Sequence, residues 1–179
     1  PRSTLFPYTT LFRSLFPNFF PEFLKLIRQS YNPDAALLNF DRFSQKIHDK
    51  DHLYSLLCAD DFLLEALVVL FSGSQVLTDT LLKTPGHFDW LKLPETLKEP
   101  KSKDALFRDF YSMAETDDFD DRLPSLLRKF KQREYIRIGL RDLMGLAELK
   151  ENVEDISNLA NVCLQLGYEY ADRCLKKKY

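Results

Sequence analysis

The sequence predicts an all-α fold, and three observations support that prediction. Only 5 of the 179 residues are glycine, while 45% are hydrophobic and 29% are charged, a composition typical of helical globular proteins. No run alternates apolar and polar residues for more than a few positions, so no strand is expected. Apolar residues instead recur at spacings of three and four between helix-capping residues. A chain of this length is within the size of one domain.

The first half of the chain is predicted to form short helices. The segment FLLEALVVLF, residues 62–71, is apolar on almost every side and is the expected central helix. Phe88, Trp90 and Leu91 are expected to dock a short turn onto the same core. The expected helix starts are Pro21, Asn32 with Pro33, Asp51 or a neighbour, Asp60 with Asp61, and Ser74. The first of these helices is expected to carry Phe23, Leu24 and Ile27, and Leu53, Leu56 and Leu57 are expected in a short turn. The positions expected to be inward or buried are Leu37, Phe40, Phe43, Ile47, Val76, Leu77, Leu81 and Leu82.

Residues 93–103, LPETLKEPKSK, contain two prolines and mixed charges and are predicted to be an exposed connection. They divide the chain into a short-helix subregion, 15–92, and a long helical hairpin, 104–179. Residues 1–14 resemble a translated sequencing adapter and are excluded from the fold prediction. The natural chain is therefore expected to enter near Leu15, as a fragment of a longer protein.

The hairpin is predicted to consist of two long helices joined at Gly145. A preceding helix from Asp104 is expected to place Phe107, Phe110, Tyr111 and Ala114 on one side. Pro124 suits a first helical position, so the first long helix should begin near Leu123, and Gly145 can take the left-handed conformation that ends it. Its apolar residues form two arcs: Leu123, Leu126, Leu127, Phe130 and Ile138, and Ile136, Leu140, Leu143, Met144 and Ala147.

The second long helix is predicted to start at Asn152 as N-cap, with Asp155 three residues on. It should fold back on the first helix as an antiparallel pair. The predicted buried stripe is Val153, Ile156, Ala160, Cys163, Gly167, Tyr170 or Ala171, and Cys174.

Arginines recur along the first long helix at the boundary between its two apolar arcs. They are Arg133, Arg137 and Arg141, preceded by Lys129 four residues earlier. A partly buried arginine needs a carboxylate or phosphate partner, because removing its charge from water costs several kcal/mol. The series therefore predicts either a structural ion-pair ladder, the favoured interpretation, or a contact with phosphate or a partner protein. Glu134 and Asp142 are the local carboxylates.

Other candidate sites are weaker. His48 and His52 have a metal-ligand spacing, but the residues between them predict a helix break, and no metal site is expected. The aspartates from Asp117 to Asp121 are predicted to cap a helix, because no strand and Gly-Ser turn accompany them. The cysteines Cys58, Cys163 and Cys174 are too scattered for a disulfide framework or zinc site, which favours a reducing compartment.

No arrangement predicts nucleophilic catalysis, so no catalytic residue is assigned. The net charge of −2 argues against general nucleic-acid binding. No apolar run of about 20 residues predicts a membrane span.

Three segments carry a resemblance to a known family. LRKFKQREYIRIGLRDLMGLAELKENVEDISNLANVCL resembles the region just upstream of a nucleotidyltransferase core in the glutamine synthetase adenylyltransferase / adenylyl-removing enzyme family. FLLEALVVLFSGSQVLTDTLLKTPGHFDWL extends the resemblance, and NPDAALLNFDRFSQ does so more weakly.

The resemblance implies a parent enzyme that moves AMP onto or off a tyrosine of glutamine synthetase, using ATP or phosphate with Mg²⁺. It also implies contact with a PII signalling protein, and the cysteine pattern separately favours a cytoplasmic location. In that family the catalytic carboxylates follow the second long helix, so none maps onto this chain, which is expected to be an inactive helical lead-in that binds no cofactor. FDRF and HFDWL favour the de-adenylylating half over the adenylylating half. The competing hypothesis is a free-standing helical module that binds a partner protein.

Overall fold

The computed structural model describes residues 19–92, 96–113 and 119–178, the last with side chains from Leu123 onward. The predicted all-α class is confirmed: the described residues form nine α-helices and no strand. The chain divides into two compact units, 1–86 and 87–179. The predicted tail, 1–14, lies outside the described residues. The helices are α1 Phe19–Gln29, α2 Pro33–Ser44, α3 Lys50–Ala59, α4 Asp61–Gly73, α5 Gln75–Lys83, α6 His87–Leu91, α7 Lys103–Met113, α8 Phe119–Leu143 and α9 Leu149–Lys178.

The first unit is organised around α4, as predicted from its apolar sequence. This helix contacts α1, α2, α3 and α5, and seven of its thirteen residues are buried. Aromatic rings fill the space beside it; for example, the ring centroids of Phe23 and Phe40 lie 4.5 Å apart, and those of Phe43 and Phe71 lie 5.6 Å apart. Such pairs add about 0.5–1.5 kcal/mol to the stabilisation from burial. The buried polar side chains of this unit are uncharged: Asn39, Ser44 and Thr78.

Capping side chains set the starts of these helices. Asn32 Oδ1 accepts a hydrogen bond from the Ala35 N–H, and Asp60 Oδ1 accepts one from the Leu63 N–H. Ser74 caps α5 in the same way. Each cap supplies an acceptor to a backbone donor that the helix itself leaves unpaired, a contribution of about 1 kcal/mol. Three details of the prediction differ: α1 begins at Phe19 rather than at Pro21, Asp49 rather than Asp51 caps α3, and Val76 is exposed.

Among the described residues, no single helix is long and apolar enough to cross a membrane. Taken together, α4 and α5 pass that test of length and composition, but the chain bends by 117° between them.

The second unit is a three-helix core formed by α7, α8 and α9. The two long helices pack against each other, and α7 packs on both of them. A Schellman motif ends α8, because Leu146 N–H donates to the Arg141 carbonyl and Gly145 N–H donates to the Asp142 carbonyl. Gly145 has φ of +66°, as its predicted helix-ending role requires. The buried core residues are Leu106, Phe110, Leu123, Phe130, Ile138, Leu159, Val162 and Leu166.

Both long helices begin earlier than predicted. The first starts at Phe119, so Pro124 lies in its second turn, where its missing N–H removes one helical hydrogen bond. The second starts at Leu149, and Asn152 lies inside it. Its N-terminal signal is Glu151, whose carboxylate accepts from the Glu148 N–H as in a capping box.

The predicted buried stripe of α9 is wrong. Val153 and Ile156 are 55% and 47% exposed, and Ala160 and Cys174 are also exposed, while Cys163 and Gly167 are half-buried. The helix instead buries the neighbouring face, on which a carboxylate and an amide accompany the apolar residues. The residues buried on that face are Asn152, Asp155, Leu159, Val162 and Leu166.

The boundary region also differs from the prediction. Helix α6, with Phe88, Trp90 and Leu91, belongs to the second unit, whereas the prediction grouped these residues with the core of the first. The described part of the predicted exposed connection, 96–103, is not fully exposed: Thr96 and Leu97 are buried. Hydrogen bonds from α8 and α9 to the backbone of this segment hold it in place.

Candidate functional site: a buried arginine cluster

The buried arginine cluster lies where α8 meets α9 and is defined by Arg137, Arg141, Glu134, Asp155 and Lys101. Arg137 and Asp155 form its centre and are both fully buried. Arg137 Nη1 and Nη2 donate to the two Asp155 carboxylate oxygens at 3.0 and 2.9 Å, a bidentate pair. Arg137 Nε donates to Glu134 Oε2 at 2.7 Å. The guanidinium is therefore paired along both edges, and the pair joins the two long helices.

Asp155 accepts two further hydrogen bonds. Arg141 Nη1 donates to its Oδ2 at 3.2 Å, and the Lys101 backbone N–H donates to its Oδ1 at 2.8 Å. Two carboxylate oxygens offer about four lone-pair positions, so Asp155 is saturated. Arg141 Nε donates to the Leu97 carbonyl, which ties the segment before α7 to the same centre.

Lys101 completes the cluster. Its ammonium contacts Glu134 Oε1 at 3.2 Å and also pairs with Asp109 of α7. Burial alone would lower the pKa of Arg137, but hydrogen bonds and charges from Asp155 and Glu134 outweigh burial and leave that pKa raised. Removing one partner of such a buried pair costs about 3–5 kcal/mol, because it leaves an uncompensated charge.

Arg133 is the third member of the predicted series and has a different environment. Its side chain is 10% exposed, and its Nε and Nη2 have no hydrogen-bond partner. Nη2 lies 3.7 Å from Glu134 Oε1, which already accepts from Lys101. Burial lowers the pKa of Arg133, and the charges of Glu134 and Asp109 only partly offset that effect.

Aromatic and imidazole side chains surround Arg133. Its Cζ lies 4.7 Å from the Trp90 ring centroid and 5.6 Å from that of Phe130. His87 is buried, and its Nε2 also lacks a hydrogen-bond partner. Burial, together with the charges of Arg133 and Lys129, lowers the pKa of His87 to about 4. These groups form a positively charged, partly apolar environment next to the saturated cluster.

The other sequence candidates do not form a site in the described structure. His48 precedes α3 and His52 lies within it, so the two do not share a helix face. Among the described residues, no group of three or more histidine, cysteine or acidic side chains could hold a metal ion. The three cysteines are free. The acidic side chains from Asp117 to Asp121 lie outside the described residues.

The sequence prediction missed the main partner of the arginines. Glu134 pairs with Arg137 as expected, but Asp142 accepts from Asn152 instead of from an arginine. The sequence prediction assigns Asp155 to the N-cap of α9 instead. A usable signal was present, because Asp155 lies four residues before Leu159 and seven before Val162, on the helix face that is buried.

The fold and cluster define a class: an all-α protein whose terminal helix pair is joined by buried ion pairs. A family model described as glutamate-ammonia ligase adenylyltransferase matches residues 64–179. The chain therefore belongs to the glutamate-ammonia ligase adenylyltransferase family, as the resemblance indicated.

Curated relatives carry the name bifunctional glutamine synthetase adenylyltransferase/adenylyl-removing enzyme. The protein from Brucella melitensis is 29% identical over 162 residues, which cover 89% of this chain and 16% of the relative. Those from Agrobacterium fabrum and Leifsonia xyli are 28% and 23% identical, covering 81% and 76% of this chain and 15% and 14% of the relatives. The chain thus spans about one sixth of the length of these relatives. No solved structure matches it.

Proposed function

We propose that this chain is a helical scaffold region of an enzyme that transfers AMP to, and removes it from, glutamine synthetase. The observation that carries the proposal is an exposed apolar stripe along α9, opposite the face that packs on α7 and α8. At about 100° per residue, its members fall within roughly one third of the helix circumference. They are Leu149, Val153, Ile156, Ala160, Leu164, Tyr168, Ala171 and Leu175, whose large side chains are 47–79% exposed.

The scaffold role follows from the contrast between the two faces of α9. One face is held against α8 by the buried arginine cluster, so the helix pair is rigid at that point. The other presents apolar surface in a continuous line, which is characteristic of a surface that another structure covers. We infer that a nucleotidyltransferase core in the parent enzyme covers it. The domain organisation, a subregion at 15–92, a connection at 93–103 and a hairpin at 104–179 leading into that core, is part of the proposal.

The finer features of the proposed parent follow from the family. They are the use of ATP with Mg²⁺, phosphorolytic removal of AMP from a tyrosine, control by a PII protein and a cytoplasmic location. We assign no cofactor ligand or catalytic residue to the present chain and expect it to be inactive alone. Incubating it with glutamine synthetase, labelled ATP and Mg²⁺ should give no labelled product, and measurable turnover would contradict this part.

A chimera tests the scaffold role. The corresponding segment of the Brucella melitensis relative is replaced by this chain, and AMP transfer to glutamine synthetase is measured. Activity should persist in the chimera and fall at least tenfold when Ile156→Lys and Leu164→Lys are introduced. Asn161→Lys together with Gln165→Lys adds the same two charges at exposed positions outside the stripe and is the matched control. Equal activity in all three proteins would refute the scaffold role of the stripe.

A further inference from the structure

Arg133 is the unusual member of its series because it is buried and its ion pair is long, with Nη2 3.7 Å from Glu134 Oε1. Arg137 and Arg141 donate to carboxylate and carbonyl oxygens, whereas the Nε and Nη2 of Arg133 have no acceptor. Leaving a buried charged donor without an acceptor costs more than leaving a neutral donor without one. A buried donor of this kind therefore indicates that another group binds beside it and accepts its hydrogen bonds.

The two unpaired nitrogens lie on the same edge of the guanidinium. The Nε–H and Nη2–H bonds point in parallel, and this fork matches two oxygens of one carboxylate or phosphate group. Trp90 and Phe130 contact the guanidinium through their rings, which hold its plane and supply no acceptor oxygen. The fork is therefore oriented for an in-plane, bidentate oxyanion.

The neighbouring carboxylates do not meet this requirement. Asp155 is saturated by four hydrogen bonds, and Glu134 accepts from Arg137 and Lys101. Asp109 pairs with Lys101. The charges of Glu134 and Asp109 only partly offset the effect of burial on Arg133, and Lys129 adds positive charge near His87.

His87 gives a second, independent indication. Its Nε2 is buried and has no hydrogen-bond partner, and it belongs to α6, which also carries Trp90. Two unsatisfied polar side chains on different helices, close enough to interact electrostatically, indicate a shared missing partner. One oxyanion would accept hydrogen bonds from Arg133 Nε and Nη2 and would balance the charge of the guanidinium.

The geometry points to a small-oxyanion site at Arg133, bordered by Trp90 and His87, that takes a single phosphate- or carboxylate-sized group through the Nε/Nη2 fork. Both nitrogens are shielded from solvent. The inference does not depend on the proposed function.

The fluorescence of Trp90 tests this inference directly, because it is the only tryptophan in the chain and lies beside Arg133. The chain is titrated with inorganic phosphate, sulfate, acetate or chloride at constant ionic strength and at pH 7.5. We expect a saturable change with phosphate. Saturation with sulfate identifies a tetrahedral dianion, such as free phosphate, as the natural ligand class, and saturation with acetate identifies a carboxylate. An equal response to chloride, or none to any oxyanion, overturns the site and leaves an internal water as the partner.

Matched variants assign the response to the fork. Arg133→Lys keeps the charge but loses the parallel pair of donors, and it should weaken the apparent affinity at least tenfold. Arg128→Lys makes the same change at an exposed position of α8 and should leave the affinity unchanged. The same affinity in Arg133→Lys would overturn the proposal.

A measurement on the unmodified chain covers the case in which Arg133→Lys does not fold. Bound anion places negative charge near His87 and should raise its pKa from about 4, as followed by NMR of the imidazole. An upward shift that saturates with phosphate supports the site. An unchanged pKa at saturating phosphate overturns it.

Discussion

The two units of this chain bury different kinds of side chain. In the first, the described core consists of aliphatic and aromatic residues, and its buried polar groups are neutral. In the second, two arginines, Arg137 and Arg141, are among the largest fully buried side chains, and they pair with Asp155. Apolar burial is non-directional and tolerates some rearrangement, whereas a buried ion pair requires defined partners at defined distances. Apolar packing therefore stabilises the first unit, whereas charge pairing sets the helix register of the second.

The largest expected effect comes from removing the central carboxylate. Asp155→Asn leaves Arg137 and Arg141 without their shared charge partner, and we expect the free energy of unfolding to fall by about 3–5 kcal/mol. Urea denaturation followed by Trp90 fluorescence measures this change in the second unit. Asp172→Asn makes the same chemical change in an exposed pair with Lys176 of the same helix, and should cost less than about 1 kcal/mol. Similar losses in the two variants would show that burial of the pair is unimportant.

The corresponding prediction for the first unit is that a truncated core side chain leaves a destabilising cavity. Leu57→Ala removes a fully buried side chain and should lower the free energy of unfolding by about 3 kcal/mol, measured by circular dichroism in urea. Leu38→Ala, on the exposed side of α2, is the control and should change stability by less than about 0.5 kcal/mol. If apolar packing stabilises the first unit, the decrease in the free energy of unfolding caused by Leu57→Ala should be the same at low and high salt. A strong salt dependence would contradict an apolar origin.

The local parts of the fold were predictable, because the signals that set them lie within a few residues. Asn32, Asp60 and Ser74 each cap the helix that follows them, and Gly145 ends α8 through its positive φ. The all-α class and the central position of α4 followed from composition and from an apolar run. These features can be predicted without knowing which helices pack against each other.

The register of α9 was not predictable by the same reasoning. The exposed face of α9 carries large apolar residues, which are normally expected inside a protein. Its buried face carries the polar residues Asn152 and Asp155. Hydrophobic periodicity therefore favours the wrong side. The partner of Arg137 is 18 residues away, across the turn at Gly145. The spacing to Leu159 and Val162 places Asp155 on one face of α9, but the fold-back geometry is needed to pair it with Arg137. The same limit applies to Arg133. That its Nε and Nη2 have no hydrogen-bond acceptor can be recognised only from the three-dimensional positions of its neighbours.

An intermediate effect is expected on acidification, through His87. Its pKa is about 4 in the folded state, below the ordinary value of 6.5, so between these values the unfolded state binds more protons. This contribution to stability is fully present above about pH 6.5 and is lost as the pH falls toward 4, by roughly 2–3 kcal/mol. Urea midpoints between pH 4 and 7 measure it. His87→Gln should flatten this part of the profile relative to the original chain, and an unchanged slope would contradict the assignment.

The smallest expected effect tests the register of α9. Ile156→Gln changes a residue that periodicity places inside and the structure places at the surface, so the free energy of unfolding should change by less than about 0.5 kcal/mol. Val162→Ala, on the buried face of the same helix, should cost about 1–3 kcal/mol because it leaves a cavity. Ile156→Gln should also reduce the binding of a hydrophobic dye, since it interrupts the apolar stripe. A large stability loss in Ile156→Gln together with a small one in Val162→Ala would restore the periodicity-based register, and the pairing of Asp155 with Arg137 and Arg141 could not then be correct.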